Sequence, residues 1–375
     1  TYGVVQPGPF VEDGVPLVRV SDFKSDGIRR ETLARIDPAI AARYGRSTLS
    51  GSEVLITLVG TVGLVAVATD ELVGCNVARA VGVVPVSDPL TARWVALSLQ
   101  GPTVRRFFVD RLNTTVQKTL NLRDVASLRI PFPPAPEMRT ITELLGALDD
   151  KIESNARVAA GLAAAFAAAW GRSTAGASTL PLDEIAESVR VPGAPEDDYI
   201  GLDDMPRGST VLHEWKTPDQ APKGGSWAFE PGDILFGKLR PYFKKVGVAP
   251  IAGRCTREIL VVRPRAPNDY GVVLGALTSD AFIDHCVAVS SGTRMPRSEW
   301  RDAARFAVPA IDEHRRRELE ELARCNYSLV SSFTLESRRL AVIRGALLPR
   351  LVSGRIRVPL TNDLDEAVET VLDAI

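Results

Sequence analysis

Residues 137–170 read EMRTITELLGALDDKIESNARVAAGLAAAFAAAW. Ile141, Leu145, Leu148, Ile152, Asn155, Ala159, Leu162, Phe166 and Ala169 follow one another at alternating steps of four and three, the seam of a coiled-coil helix. A second stretch, 313–351, places Leu319, Leu322, Asn326, Leu329, Phe333, Leu340, Ile343 and Leu347 on the same alternation, with Glu336 as the one poor position. At 1.5 Å per residue each helix runs to roughly 50 Å, far more than a neighbouring domain needs for its own core. The two are therefore expected to pair with each other as an antiparallel coiled coil and to act as a spacer. The alternative is that each lies as an ordinary amphipathic helix on its own domain. Asn155 and Asn326 stand on the seams, where a polar residue fixes register or meets a polar partner.

Working outward from these helices, the rest of the chain repeats itself at a shift of about 180 residues. Gly51-Ser-Glu-Val-Leu55 lines up with Pro231-Gly-Asp-Ile-Leu235, and Cys75 falls on Cys255 at the same shift. At a shift two residues smaller, Thr115 falls on Thr293, Leu122 on Trp300, Arg123-Asp124 on Arg301-Asp302 and Ile130-Pro131 on Val308-Pro309. The expected organisation is a first domain over 1–133, a helical spacer over 134–175, a second domain over 176–309, a second helical spacer over 310–358 and an acidic tail over 359–375. The fold class is mixed α/β with an internal pseudo-twofold repeat. Short β-branched runs at 17–20, 54–59, 64–68 and 80–86, and at 234–236, 246–249 and 259–262, predict strands between Gly/Pro turns. Amphipathic patterns predict helices over 91–109 and 270–287, and 180–188 reads as a helix or strand. The counterpart of 180–188 in the first half falls largely before Thr1, and no Met opens the chain, so a truncated start is expected.

A chain of 375 residues with 45% hydrophobic and 24% charged residues is long enough for two cores and is not a disordered polyelectrolyte. With 45 Lys+Arg against 46 Asp+Glu, it is not a generally basic nucleic-acid coat either, which leaves room only for a local basic face. The uncharged run 54–69 falls short of the roughly 18 to 20 residues a membrane span needs, so it reads as buried strands. Four cysteines without a C-x-x-C pair and three scattered histidines predict a reduced, cytoplasmic, metal-free protein.

The search for catalytic motifs is negative. There is no G-x-x-x-x-G-K-[ST] phosphate loop, no N-P-P-aromatic methyltransferase signature, no G-x-S-x-G elbow and no H-E-x-x-H. Asp203 and Asp204 followed by Glu214 and Lys216 make a loose version of the metal-dependent nuclease pattern, one that arises easily by chance in a solvated loop. Basic and polar residues cluster instead at equivalent places in the two halves. Arg105, Arg106, Arg111, Thr115, Gln117, Lys118 and Arg123 stand in the first; Thr293, Arg294, Arg297 and Arg301 stand in the second, with a further cluster at Lys238, Arg240, Tyr242, Lys244 and Lys245. Arg forks suit guanine edges, Gln suits adenine, and Lys and Thr hold phosphates, so these residues are candidate DNA-reading positions. Residues 1–133 hold 15 basic and 12 acidic side chains and 176–309 hold 16 and 18, so such a face must be local in each half.

At this point the chain resembles the specificity subunit of type I restriction-modification systems. LDDKIESNARV at 148–158 is similar to that family's central conserved helix, and ALLPRLVSGRIRV at 346–358 to the end of its distal one. GDILFGKLRPYFKK at 232–245 and EVLITLVGTVGLVAVA at 53–68 resemble segments of its target-recognition domains, and the prolines before each helix, with Glu137 and Glu313 after them, fit as well. The resemblance covers nearly the whole chain. It implies a non-catalytic subunit for double-stranded DNA in which each domain reads one half of a split site. Its helices, paired through seam residues such as Leu145, Leu148, Ile152, Asn155, Leu162, Leu322, Leu329, Phe333, Leu340 and Leu347, set the unread gap and dock two adenine methyltransferase subunits. Translocase-nuclease subunits complete the enzyme. S-adenosylmethionine, ATP and Mg are then expected on the partners, with none on this chain. The other readings of the sequence are a stand-alone nuclease acting through Asp204, Glu214 and Lys216, and a coiled-coil scaffold.

Overall fold

The computed structural model describes residues 1–23, 27–86, 88–111, 118–173, 178–292 and 294–358. It divides into two compact units, one of residues 1–153 with the chain from 341 onward, the other of residues 154–340.

In the first unit Val54–Thr57 is the middle strand of an antiparallel sheet, between Val65–Val67 and Val81–Val84. All four of its residues are buried, as expected for a β-branched run with no polar face. Side chains alternate along a strand, so Val54 and Ile56 pack with Ala92, Val95 and Leu99 of the helix Pro89–Gln100, while Leu55 packs with Val18, Leu72 and Val77 on the other side. Val15–Val18 forms a second sheet, antiparallel to Ala34–Ile36 and parallel to Asn76–Val77.

The second unit builds the same arrangement with one longer strand and an added edge strand. Ile234–Gly237 lies between Val246–Val248 and Ile259–Pro264, with Ala186–Val189 at the far edge. Ile234 and Phe236 face the helices Tyr270–Thr278 and Asp280–Ala288, and Leu235 faces Ile200, Phe229 and Cys255. The ambiguous stretch 180–188 contains a strand (Thr179–Pro181), one helical turn (Leu182–Ile185) and the start of the edge strand Ala186–Val189.

The repeat extends to individual hydrogen bonds. The Ala68 N–H donates to Glu53 O and the Ala249 N–H to Asp233 O; the Leu58 N–H donates to Ala80 O and the Lys238 N–H to Glu258 O. These bonds also correct the alignment around the cysteines. The Leu49 N–H donates to Cys75 O, and the matching pair is Phe229 with Gly253, so Cys75 answers to Gly253, and Val77 to Cys255. Both cysteines are buried.

The two expected amphipathic helices are each broken, at equivalent residues. Gly101 (φ −61°, ψ 148°) separates Pro89–Gln100 from Pro102–Val109, and Ser279 (φ −71°, ψ 147°) separates Tyr270–Thr278 from Asp280–Ala288. In the first, Pro102 forces the residue before it out of the helical region; in the second, Ser279 Oγ accepts the Phe282 N–H at 3.2 Å and caps the new helix.

The long helices are Ala135–Ser173 and Glu313–Val352. Within the first unit, Met138, Ile141, Leu144 and Leu145 share a core with Leu347, Leu348 and Leu351, flanked by half-buried Leu148. Arg344 donates to Asp149 Oδ2 at 3.0 Å and to Gln100 Oε1 at 2.7 Å, and Arg357 donates to buried Glu137 at 3.0 Å. Within the second unit, Ala159, Phe166 and Trp170 pack with Leu319, Ala323, Tyr327 and Val330, with Leu162 and Leu322 at the margin. In each unit the pairs run in opposite directions along the chain, as an antiparallel pairing requires.

The seam is not a strict heptad throughout. Leu329 is 43% exposed and Val330 takes its place; Ile152, Phe333 and Leu340 are only half-buried. The buried run Leu319, Ala323, Asn326, Tyr327, Val330 and Thr334 keeps closer to 3.6 than to 3.5 residues per turn, so an unsupercoiled helix carries the heptad stripe off the interface. The polar seam positions answer one another: Asn155 Nδ2 donates to Glu336 Oε2 at 2.8 Å, which explains the poor position, and Asn326 Nδ2 donates to Leu162 O at 2.9 Å.

Glu53 is the least expected member of the first core. Burial disfavours its charge, but bonds from Ser50 Oγ and the backbone N–H groups of Ser50 (2.8 Å) and Gly51 (3.0 Å) outweigh that and hold its carboxyl below the ordinary 4.5. Glu53→Gln leaves those donors without their charged acceptor and should cost about 1–3 kcal/mol in urea unfolding at neutral pH. Because folding lowers this pKa, the Glu53 contribution is full above 4.5 and is lost as pH falls through the folded value. The difference between variant and wild type should therefore shrink in acid; a constant difference would show that charge is not what matters.

Among the described residues no single helix is long and apolar enough to cross a membrane. The bent pair Pro267–Thr278 and Asp280–Ala288 passes on length and composition, but Val272, Leu274, Leu277, Phe282 and Ile283 are buried in the second core.

Candidate nucleic-acid interface

In the second unit the connection between Ile234–Gly237 and Val246–Val248 carries Lys238, Arg240, Tyr242, Lys244 and Lys245. It is pinned against residues 291–298. The Arg240 N–H donates to Pro296 O at 2.8 Å, the Ser298 N–H donates to Lys238 O at 3.0 Å, and Ser291 and Arg297 exchange backbone bonds at 3.0 Å. The two basic clusters, some 50 residues apart in sequence, are thus brought side by side.

Arg240 (φ 53°) and Lys244 (φ 50°) are the only non-glycine residues with positive φ among the described residues. A left-handed side-chain-bearing residue costs about 1 kcal/mol or more. Arg240 is doubly disfavoured, because the residue before a proline is pushed toward extended conformations. What holds it is the turn itself: buried Pro241, the Phe243 N–H donating to Arg240 O at 2.9 Å, and the Lys244 N–H donating to Pro241 O at 2.8 Å. Tyr242, 48% exposed, sits edge-on to Phe243 with centroids 4.7 Å apart.

Arg207, which stands outside the basic clusters of the sequence, joins this cluster. Its exposed guanidinium stacks on the Phe243 ring at 3.7 Å, and the Gly208 N–H donates to Lys244 O at 3.1 Å. Lys245 is held below its ordinary range, first by burial and then by Arg207, and its amine donates to Leu202 O. It therefore serves the fold of the turn.

The remaining candidates differ in what they can offer. Lys238 is largely buried and pairs with Glu299 at 2.9 Å, so it anchors the turn. Arg297 pairs with Glu258 at 3.0 Å, Lys244 with Asp280, and Arg301, 84% exposed, lies 3.5 Å from Asp302. Exposed pairs of this kind are worth about 0–1 kcal/mol, so a phosphate can displace the carboxylate. Among the described residues, no carboxylate forms an ion pair with Arg207, Arg240 or exposed Arg294.

The first unit has the same turn without the charge. Between Val54–Thr57 and Val65–Val67 the connection reads LVGTVGL at 58–64. The Gly60 N–H donates to Lys118 O at 3.0 Å and the Leu120 N–H to Leu58 O at 2.8 Å, the counterparts of the Arg240 and Ser298 bonds. Exposed Lys118 therefore lies beside this turn, while exposed Arg105 and Arg106 stand on Pro102–Val109 and exposed Arg123 on Leu122–Ala126. The Arg111 guanidinium stacks on Phe107 at 3.6 Å. Thr115, Gln117 and Thr293 lie outside the described residues.

The nuclease-like triplet is tied up internally. The Lys216 amine donates to Asp203 at 2.8 Å and to Asp204 at 2.6 Å, and Glu214 is exposed. This bond holds the Asp203 carboxyl below its usual range; for Lys216, burial works against the charge but the two carboxylates win and raise its pKa. Among the described residues no group of three or more His, Cys, Asp and Glu is placed to hold a metal ion.

No protein-family model matches the chain. Over 156 residues, 40% of this chain and 33% of the relative, it is 31% identical to the type I restriction enzyme EcoBI specificity subunit of Escherichia coli, so the match spans a third of that curated relative. Among solved structures, the S subunit of a type I restriction-modification system from M. genitalium aligns over 94% of this chain and 92% of its own at a TM-score of 0.55 and 14% identity, a likeness of fold. In sequence over that stretch, and in fold over nearly its whole length, the chain resembles the specificity subunits of type I restriction-modification systems.

Proposed function

We propose that this chain is the sequence-specific DNA-recognition subunit of a type I restriction-modification enzyme, working in the cytoplasm and carrying no catalytic group of its own. Residues 1–133 and 176–309 are its recognition domains, each reading one half of a split site in double-stranded DNA. The helical segments 134–175 and 310–358 set the unread gap and dock two adenine methyltransferase subunits. Methyl transfer from S-adenosylmethionine, and ATP- and Mg-dependent translocation and cleavage, belong to the methyltransferase and translocase-nuclease partners. The observation that carries this reading is the duplicated turn, pinned by equivalent backbone bonds in both units, with basic residues on it in the second unit and Lys118 beside it in the first. Two similar domains on one chain are what a two-part asymmetric site requires.

A near-neutral chain offers few phosphate contacts by itself, and phosphate contacts dominate affinity. Offered a pool of random duplexes, the chain assembled with its methyltransferase subunits should enrich one split sequence, whereas the chain alone should bind weakly. Enrichment of no sequence by the assembly would favour the scaffold reading, and Mg-dependent cutting by the chain alone would favour the nuclease.

A further inference from the structure

We propose that the second domain reads its half-site through the turn 238–245, and that the first domain reads its own half without the equivalent turn. The inference rests on the recognition reading above and assigns the specificity-determining residues of one half-site to Arg240 and Lys244. The bonds that pin the two turns to their neighbours correspond, Gly60 to Lys118 O with Arg240 to Pro296 O and Thr57 to Leu64 O with Gly237 to Lys245 O, and they fix the correspondence at each end of a turn that is one residue longer in the second unit. Counting from Glu53 and Asp233, Gly60 (φ 79°) answers to Arg240; counting back from Ala68 and Ala249, Gly63 (φ 87°) answers to Lys244. The first unit thus closes this turn with glycine at both left-handed positions, where glycine is unstrained. The backbone does not need a side chain at either place. What Arg240 and Lys244 add is two cations, held in a conformation that their own residue types disfavour.

Their surroundings fit duplex DNA. Arg207 on Phe243, half-exposed Tyr242 and exposed Arg294 border the turn, giving guanidinium forks for guanine edges and cations for phosphates within one loop cluster. The corresponding stretch 58–64 has no charged side chain, so the first domain's candidate basic residues are Arg105, Arg106 and Arg123 on its helices and Lys118 in the segment beside the turn. The two half-sites are then read by different elements of one repeated fold.

The test replaces both residues, Arg240→Gly and Lys244→Gly, in the full chain assembled with its partners, and sequences methylated adenines in a host carrying it. One half of the split motif should lose discrimination by about tenfold or more at the bases read, while the other half stays as it was. The melting temperature should not fall, since glycine suits both backbone angles, and the retained half-motif reports that the complex assembles. An unchanged motif overturns the inference, as does equal loss from both halves at unchanged melting temperature. If the wild-type chain itself directs no split motif, the recognition reading fails, and this inference with it.

Discussion

Gly271→Val should lower the thermal transition of the second unit by roughly 6–12 °C, from about 3 kcal/mol of lost stability. Gly271 lies on the helix Tyr270–Thr278 where it crosses the long helix Glu313–Val352. A Cβ there would stand 2.5 Å from the carbonyl carbon and oxygen of Leu319 and 2.7 Å from the Glu320 nitrogen. These are backbone atoms of a continuous helix and cannot swing aside. The close approach also serves a hydrogen bond, from the Gly271 N–H to Glu320 Oε2 at 3.1 Å, which a displaced helix would lose. Helix propensity alone would favour replacing glycine by about 1 kcal/mol. The steric cost exceeds that gain, so the sign of the change separates the two effects. Gly161→Ala supplies the contrast: it lies within the long helix Ala135–Ser173 with nothing within 4 Å of the added carbon, and it should stabilise by about 0.5–1 kcal/mol. Equal effects at Gly161 and Gly271 would mean that the helix does not pack this closely.

Much of this fold could be read before the structure was known, for reasons specific to particular residues. The strands at 54–57 and 234–237 announce themselves because both faces are buried, leaving uninterrupted apolar runs between Gly- and Pro-marked turns. The long helices announce themselves through four-three spacing over many turns. What the pattern missed follows from competing forces that spacing does not encode. The break at Ser279 depends on a side-chain cap, which looks like any serine within an amphipathic run. Leu329 loses its seam place to Val330 because a straight helix drifts away from a seven-residue repeat.

The candidate site was legible in outline only. The turn 238–245 and the stretch 291–298 were picked out by their basic residues, yet their contact is made by backbone bonds from Arg240 and Ser298 that composition cannot report. Lys238 reads as a candidate DNA contact, and its largely buried amine pairs with Glu299. Arg207 was missed because its membership depends on a loop folding back onto Phe243 from more than 30 residues away. Its one available signal was the isolated Arg207-Gly208 pair in an acidic neighbourhood.

The second large effect concerns the central claim itself. If this chain is the recognition subunit, methyltransferase partners without it have no sequence to follow, and the effect of its loss on their target is all-or-none. The most direct measurement is therefore a comparison of genomic adenine methylation, read at single-base resolution, between a host carrying the gene and the same host with it deleted. One split motif, two short specified parts around a gap of fixed length, should go from nearly full methylation to none and return when the gene is restored. A methylome that is unchanged by the deletion, with every motif still modified, would contradict the account.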